Sequence, residues 1–464
     1  RPSRRDFLCQ YGGGFAGLAL THLLARDLPA SPSRFPSASS PLPHHPPKVR
    51  RVIQLFMNGG ISQVDSFLYR PELQRRAGQK DDGKNLFASP FAFAQHGQCG
   101  RWISSVFPHH AREVDKMTFL LGMHTDNNIH GTSSYMMNTG FMRAGFPCLG
   151  AWVSYGLGQL SENLPAFVVL PDKVGMPYNG EGNFTSGFLS PSHQGTVVRT
   201  GERTPIADLF ANPRHSFVNP DSDQDGLALL TSLNRSHLAT RPADPRLEAR
   251  IASYEMAARM QLSAPEAFDL SQETPATQAA YGIGSPLADD FGRRCLLARR
   301  LVERGVRFVQ VWSGHDGPVN NWDNHFDVPK NFPIQAQKVD QPAAALLADL
   351  HQRGLLEDTL LLFCTEFGRT PTGQMVGTHP PGRDHNGKSF AIWMAGAGLR
   401  PGFAFGDADE FGAKATTDAT DHHDLHATIL HLLGIDHTQL SVLHNGVNRR
   451  LTDVHGRVIH EIFA

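Results

Sequence analysis

Six short, largely apolar runs punctuate the chain: Val52 to Met57 (VIQLFM), Met117 to Leu121 (MTFLL), Ala166 to Leu170 (AFVVL), Val306 to Trp312 (VRFVQVW), Thr359 to Cys364 (TLLLFC) and Phe390 to Met394 (FAIWM). Runs this short, with little polar alternation, read as strands buried on both faces, the mark of a parallel sheet. Helical spacing falls between them. Asp289 to Arg304 places Phe291, Cys295, Leu297, Leu301 and Val302 on one face and stops at Gly305, and Ala336 to Gly354 does the same with Ala343, Leu346, Leu347 and Leu350. Leu149 to Leu157 and Leu425 to Leu433 read as two further helices. The alternation predicts an α/β fold with a doubly wound, mostly parallel sheet and helices on both faces. Ligands of such sheets sit beyond the carboxyl ends of the strands. Residues 171 to 225 are rich in Gly, Asn and Pro, and a helical stretch from Leu227 to Leu262 breaks near Arg241-Pro242. Together they form an insertion over about 171–262, covering one end of the sheet, within a domain expected to span 49–464.

Charge narrows the function. With 43 Lys plus Arg against 44 Asp plus Glu the net charge is −1, so no chain-wide attraction draws the protein to nucleic acid. No segment reaches the eighteen or so uninterrupted apolar residues of a stable membrane span. The N-terminus reads Ser3-Arg4-Arg5-Asp6-Phe7-Leu8, followed by a Gly/Ala/Leu-rich stretch from Tyr11 to Leu24. This is the layout of a twin-arginine export signal over 1–29, followed by a Pro/Ser-rich linker over 30–48. A periplasmic or extracellular location is the expectation. Five cysteines include no C-x-x-C pair, which argues against a thiolate zinc site; export leaves room for one disulfide, but Cys295 and Cys364 lie in apolar runs and read as buried free thiols.

The 24 histidines are the outlying number, and several stand beside Asp in loops that follow predicted strands. Asn58-Gly-Gly-Ile-Ser62-Gln63-Val-Asp65 offers a sharp turn and a hard oxygen ligand at Asp65, or simply a helix cap. His124 to Gly140 carries His130 just ahead of Ser133 and Ser134, suited to a metal or an anion, or to plain N-capping. His315-Asp316, then Asp323-Asn324-His325, alternate acid and imidazole as a cation site requires. Glu366 ends a buried strand, where an acid is costly unless paired or coordinated. Arg369 and Arg383 are at hand to neutralise it or to clamp an oxyanion, and Asp384-His385 follows. Gly382 to Ser389 matches G-x-x-x-x-G-K-[ST] letter for letter, yet a loop precedes it and a strand follows, the wrong context for a phosphate-binding loop.

The segments SRRDFL, LFMNGGISQVDSF, the His-rich loop ending in MMNTG, WDNHF, LLEDTLLLFCTEFGRTP, GRDH, and DLHATILHLLGID followed by RRLTDVHG together resemble an exported bacterial family. This is the domain-of-unknown-function 1501 family, placed in the sulfatase-like branch of the alkaline phosphatase superfamily. The resemblance covers nearly the whole chain. It implies a doubly wound sheet carrying one or two divalent cations, of zinc, calcium or magnesium type, at its strand ends. It also implies a hydrolase of sulfate or phosphate esters, whose substrate is a small molecule or a glycan.

Two departures stand out. Aligning the final T-G of the sulfatase signature with Thr139-Gly140 puts His130 where the nucleophile belongs, and Glu366-Phe367 replaces a metal-binding Asp and its neighbour. Asp65, Asp323, His325 and His385 resemble the remaining ligands, whereas Leu68 stands where relatives often show a second Asp. The resemblance thus implies one of two mechanisms. In the preferred one, a cation held by some of Asp65, Asp323, His325, Glu366 and His385 activates water while Arg369 or Arg383 binds the ester anion; the Gly377 to Lys388 loop then lines the entrance. In the other, His130 is itself the nucleophile or a ligand. The competing class is a catalytically inactive member that binds an anionic glycan or an envelope partner.

Overall fold

The computed structural model describes residues 43–200, 220–240, 266–317 and 320–464, with a few isolated positions between 247 and 256. The paired-arginine segment at 1–29, and the linker as far as residue 42, lie outside the described residues. The chain divides into two compact units. One is Arg1–Ser39 with Ala211–Ala258, of which the helix Pro220–Ala239 is described; the other, Ser40–Phe210 with Arg259–Ala464, contains the sheet.

In that larger unit eight strands form one sheet: β1 (Arg51–Met57), β2 (Thr118–Met123), β3 (Phe167–Leu170), β4 (Thr196–Val197), β5 (Phe308–Ser313), β6 (Thr359–Cys364), β7 (Phe390–Ala395) and β8 (Ala404–Phe405). Their order across the sheet is β8-β2-β7-β6-β1-β5-β3-β4. Only β7 runs against its neighbours β6 and β2; every other pairing is parallel. The apolar runs form strands because each residue in them has a buried face to fill. Ile53, Leu55, Val309, Val311, Leu361 and Phe363 face one way, against Cys295 and Leu301 of one helix and Ala336, Leu346 and Leu350 of another. Val52, Phe56, Trp312, Leu360 and Leu362 face the other way, against Trp152, Leu425 and Ile429. Both faces are therefore covered, and each such side chain contributes roughly 1.5–3 kcal/mol on burial.

The covering helices include α2 (His130–Thr139) and α3 (Leu149–Leu157), preceded by the short turn α1 (Gln63–Ser66). After them come α4 (Asp289–Glu303), α5 (Val328–Gln352) and α6 (His422–Leu432). α5 starts eight residues before the predicted Ala336, because Pro333 breaks the sequence pattern yet fits within the helix. The helix of the other unit ends at Ala239, ahead of the predicted break at Pro242. Cys148, Cys295 and Cys364 are buried free thiols and Cys99 is exposed. Among the described residues no helix is long and apolar enough to cross a membrane.

β1, β2, β5 and β6 point the same way, so the segments leaving Met57, Met123, Ser313 and Cys364 all emerge at one rim. After β6 the chain makes an antiparallel hairpin, Gly368–Gln374 against Gly382–Asn386. Sequence reading takes that region for loop, since it lacks the apolar alternation of a strand.

Candidate metal centre

Three placements, by a glycine, a hairpin and a helix start, build the rim. Gly59, with φ at 117°, lies so near the following loop that a Cβ there would stand 2.7 Å from the backbone nitrogens of both Trp322 and Asp323. Its N–H donates to Glu366 Oε1 at 2.8 Å, and its carbonyl accepts from Arg369. The hairpin register sets Arg369 directly opposite His385. His130 is the first residue of α2, so the loop leaving β2 delivers it to the same point.

Four side chains converge there. His130, Asp323, His325 and His385 each present one ligand atom, all within 4.8 Å of one another. Asp323 Oδ1 is the hub, with Nε2 of His325 at 2.8 Å and those of His130 and His385 at 3.1 Å each. The far sides of the rings explain the orientation. Nδ1–H of His130 donates to Glu366 Oε1 at 2.7 Å, that of His325 to Gln374 Oε1 at 2.6 Å, and that of His385 to the Asn128 carbonyl at 2.7 Å. These oxygens can only accept, so each ring keeps its proton on Nδ1 and turns a lone pair inward. His325 Nε2 and His385 Nε2 are then 2.8 Å apart, lone pair to lone pair. His130 Nε2 is buried and out of line for a hydrogen bond with Asp323, and has no other partner. Repelling lone pairs around a carboxylate, with one orphaned nitrogen, fit a shared cation, and the backing of each imidazole by an oxygen acceptor is the usual support of a metal-bound histidine.

Electrostatics agree. Burial opposes ionisation of Asp323, but the polar contacts with His130, His325 and His385 and the charge of Arg369 hold its carboxyl below the usual carboxylate range. Burial likewise disfavours a charged His130, yet Asp323 and Glu366 outweigh it and raise its pKa. Burial dominates at His385 and lowers it. Two carboxylates, Asp323 and Glu366, against the single guanidinium of Arg369 leave the neutral-histidine site one net negative charge.

The arginines are committed. Arg369 donates through Nη2 to Asp323 Oδ1 at 2.5 Å and to Gly59 O, through Nε to Gly60 O at 2.9 Å, and through Nη1 to Arg383 O at 3.2 Å. Arg383 makes a bidentate pair with Asp65, at 2.6 and 3.0 Å, and both residues are fully buried. The structure therefore brings Asp323, His325, His385 and His130 together with Arg369 and places Glu366 behind His130. It gives Asp65 to Arg383 and Ser62 instead of to the cluster. Neither guanidinium is left open to clamp an ester.

Sequence reasoning missed Tyr178 and Gln374. Tyr178 stacks on the His130 ring at 4.4 Å between centroids with planes 7° apart, and burial, with the nearby Asp323 and Glu366 charges, pushes its hydroxyl pKa up. It comes from the aperiodic insertion, which offered no signal. Phe367 packs near His130 from another direction, with ring centroids 4.8 Å apart. Beside the cluster opens a cleft of about 500 Å³ whose wall includes His385, Asn128, Thr372, Asn386 and Lys388. The stretch that matches a phosphate-binding loop is a hairpin arm, Gly382–Asn386.

Among solved structures, PsFucS1 sulfatase from Pseudoalteromonas sp. is similar with a TM-score of 0.36 at 12% identity, covering 83% of this chain and 68% of that one. The lipoteichoic acid synthase LtaP from Listeria monocytogenes gives 0.36 at 10%, over 90% and 78%. The alkaline phosphatase of the Antarctic bacterium TAB5 gives 0.35 at 9%, over 83% and 98%. No curated protein matches. A family model described as "Protein of unknown function (DUF1501)" matches residues 49–463, and the chain belongs to that family.

Proposed function

We propose that this protein is an exported hydrolase of sulfate or phosphate esters that uses one divalent cation held by His130, Asp323, His325 and His385. The observation that carries the reading is the set of three imidazoles, each with Nδ1–H tied to an acceptor and Nε2 turned onto Asp323 Oδ1. Three nitrogens and one carboxylate oxygen suit zinc better than calcium or magnesium, which take oxygen ligands. When bound, such an ion supplies Lewis acidity, polarising ester oxygens and acidifying water.

The chain's own residues do the rest. Glu366 holds the His130 proton at Nδ1, Arg369 fixes the Asp323 carboxylate, and Tyr178 shields one face of the His130 ring from water. The net negative charge of the site favours a doubly charged cation, and the resulting positive balance favours an anionic ester. The neighbouring polar cleft has room for the leaving group. The paired arginines Arg4 and Arg5 support export by the twin-arginine route, with the activity in the periplasm or outside the cell. Replacing both by Lys in a reporter fusion should retain the reporter in the cytoplasm; unchanged export would sink that part. For the activity, protein purified without chelator should contain about one divalent ion per chain and hydrolyse 4-nitrophenyl sulfate or phosphate, with chelation abolishing turnover. An ion-free protein inactive on both esters would favour the inactive, ligand-binding alternative.

A further inference from the structure

The site uses the first residue of α2, and the two tail motifs play no part in it directly. They meet the other end of that helix. His426 of α6 donates from Nε2 to the Met137 carbonyl at 2.9 Å, and His423 donates from Nε2 to the Gly140 carbonyl, also at 2.9 Å. Both rings are buried, His426 at 1% exposure and His423 at 7%. These bonds satisfy carbonyls that a helix C-terminus otherwise leaves unpaired. Gly140, in the left-handed conformation with φ at 75°, sits hard against the C-terminal segment: a Cβ there would lie 2.2 Å from the Leu451 carbonyl. So the MMNTG, DLHAT and RRLTDVHG segments form one lock around the end of α2.

A helix transmits axial displacement with little loss. Met137 is seven residues from His130, about 10 Å along the axis. The stacked Tyr178 and tilted Phe367 rings restrain His130 sideways, Ser134 bonded to Asn183 and Asn138 bonded to Gln310 hold the body of α2, and the two imidazoles of α6 fix its far end. We propose that His423 and His426 are positioning residues for the metal centre, latching the C-terminus of α2 so that His130 keeps Nδ1 on Glu366 and Nε2 on Asp323. This rests on the reading of His130 as a ligand, but its test does not.

The experiment is proton NMR of the metal-free full chain, following the strongly downfield Nδ1–H resonance that the His130–Glu366 bond produces, assigned by its loss in His130→Gln. His426→Leu and His423→Leu should each displace or abolish this resonance. His426→Gln, which keeps an N–H near the Nε2 position, should restore it. Zinc affinity, measured in parallel, should fall in the Leu variants by less than the roughly 10- to 100-fold that loss of a ligand's direct hydrogen-bond partner costs, and recover in the Gln variant. His423→Leu carries the test if His426→Leu does not fold. A latch that serves stability alone would lower the thermal midpoint and leave the resonance where it is, and that result overturns the proposal. If the wild type binds no zinc while the resonance still moves, the metal reading fails and the latch stands.

Discussion

Arg383→Met separates a structural arginine from a catalytic one. The wild-type guanidinium meets Asp65 through two hydrogen bonds, at 2.6 and 3.0 Å, with neither side chain exposed. Removing it leaves a buried carboxylate whose remaining partner is the Ser62 hydroxyl at 2.5 Å. Deleting one member of such a pair costs about 3–5 kcal/mol, because the surviving charge has lost its compensation. The Arg383 Nη1 bond to the Thr370 carbonyl, 3.1 Å, is lost as well. Equilibrium urea unfolding followed by tryptophan fluorescence should show this loss, and Asp65→Asn/Arg383→Met should recover more than half of it. Metal content should change far less than in His385→Ala, since Asp65 stands outside the cluster. A stability change under about 1 kcal/mol combined with loss of the ion would refute the reasoning and return Asp65 and Arg383 to the chemistry.

Other consequences are as direct. Gly59→Ala brings a Cβ within 2.7 Å of the Trp322 and Asp323 nitrogens at a φ of 117°, so it should destabilise by more than about 1 kcal/mol and weaken metal binding together; calorimetry that finds metal affinity intact contradicts the packing argument. Glu366→Gln removes the charge behind His130 and should raise the metal Kd about 10- to 100-fold, read by competition with a chromogenic chelator. For pH, burial pushes His422 down to about 3 and His426 down to about 4, against an unfolded value near 6.5. Between pH 6.5 and 4 the unfolded chain binds protons that the folded chain refuses. Stability is therefore full above 6.5 and falls by about 1.4 kcal/mol per pH unit per histidine as the solution is acidified. His422→Leu should flatten part of that slope, and an unchanged slope would mean that this ring is not held neutral.

The layout of the sheet was legible because continuous apolar runs have few alternatives: each became a strand within about two residues of where the pattern placed it. The start of α5 was not, since Pro333 interrupts the pattern and tertiary packing carries the helix through it. The hairpin carrying Arg369 and His385 was invisible for a different reason: Gly-Arg-Thr-Pro-Thr-Gly-Gln has no apolar face, and pairing with the return arm defines it as a strand. Acids and imidazoles in loops after strands pointed to the right rim. Which acid serves the cation and which serves an arginine depended on contacts across 318 residues in the case of Asp65 and Arg383, a separation at which spacing carries no information. Tyr178 gave no sign at all.

Anomalous diffraction from crystals grown with zinc tests the central arrangement most directly. The account predicts a single strong peak bonded to Nε2 of His130, His325 and His385 and to a carboxylate oxygen of Asp323. A peak centred on Asp65 or Glu366, or none in the presence of excess zinc, would contradict it.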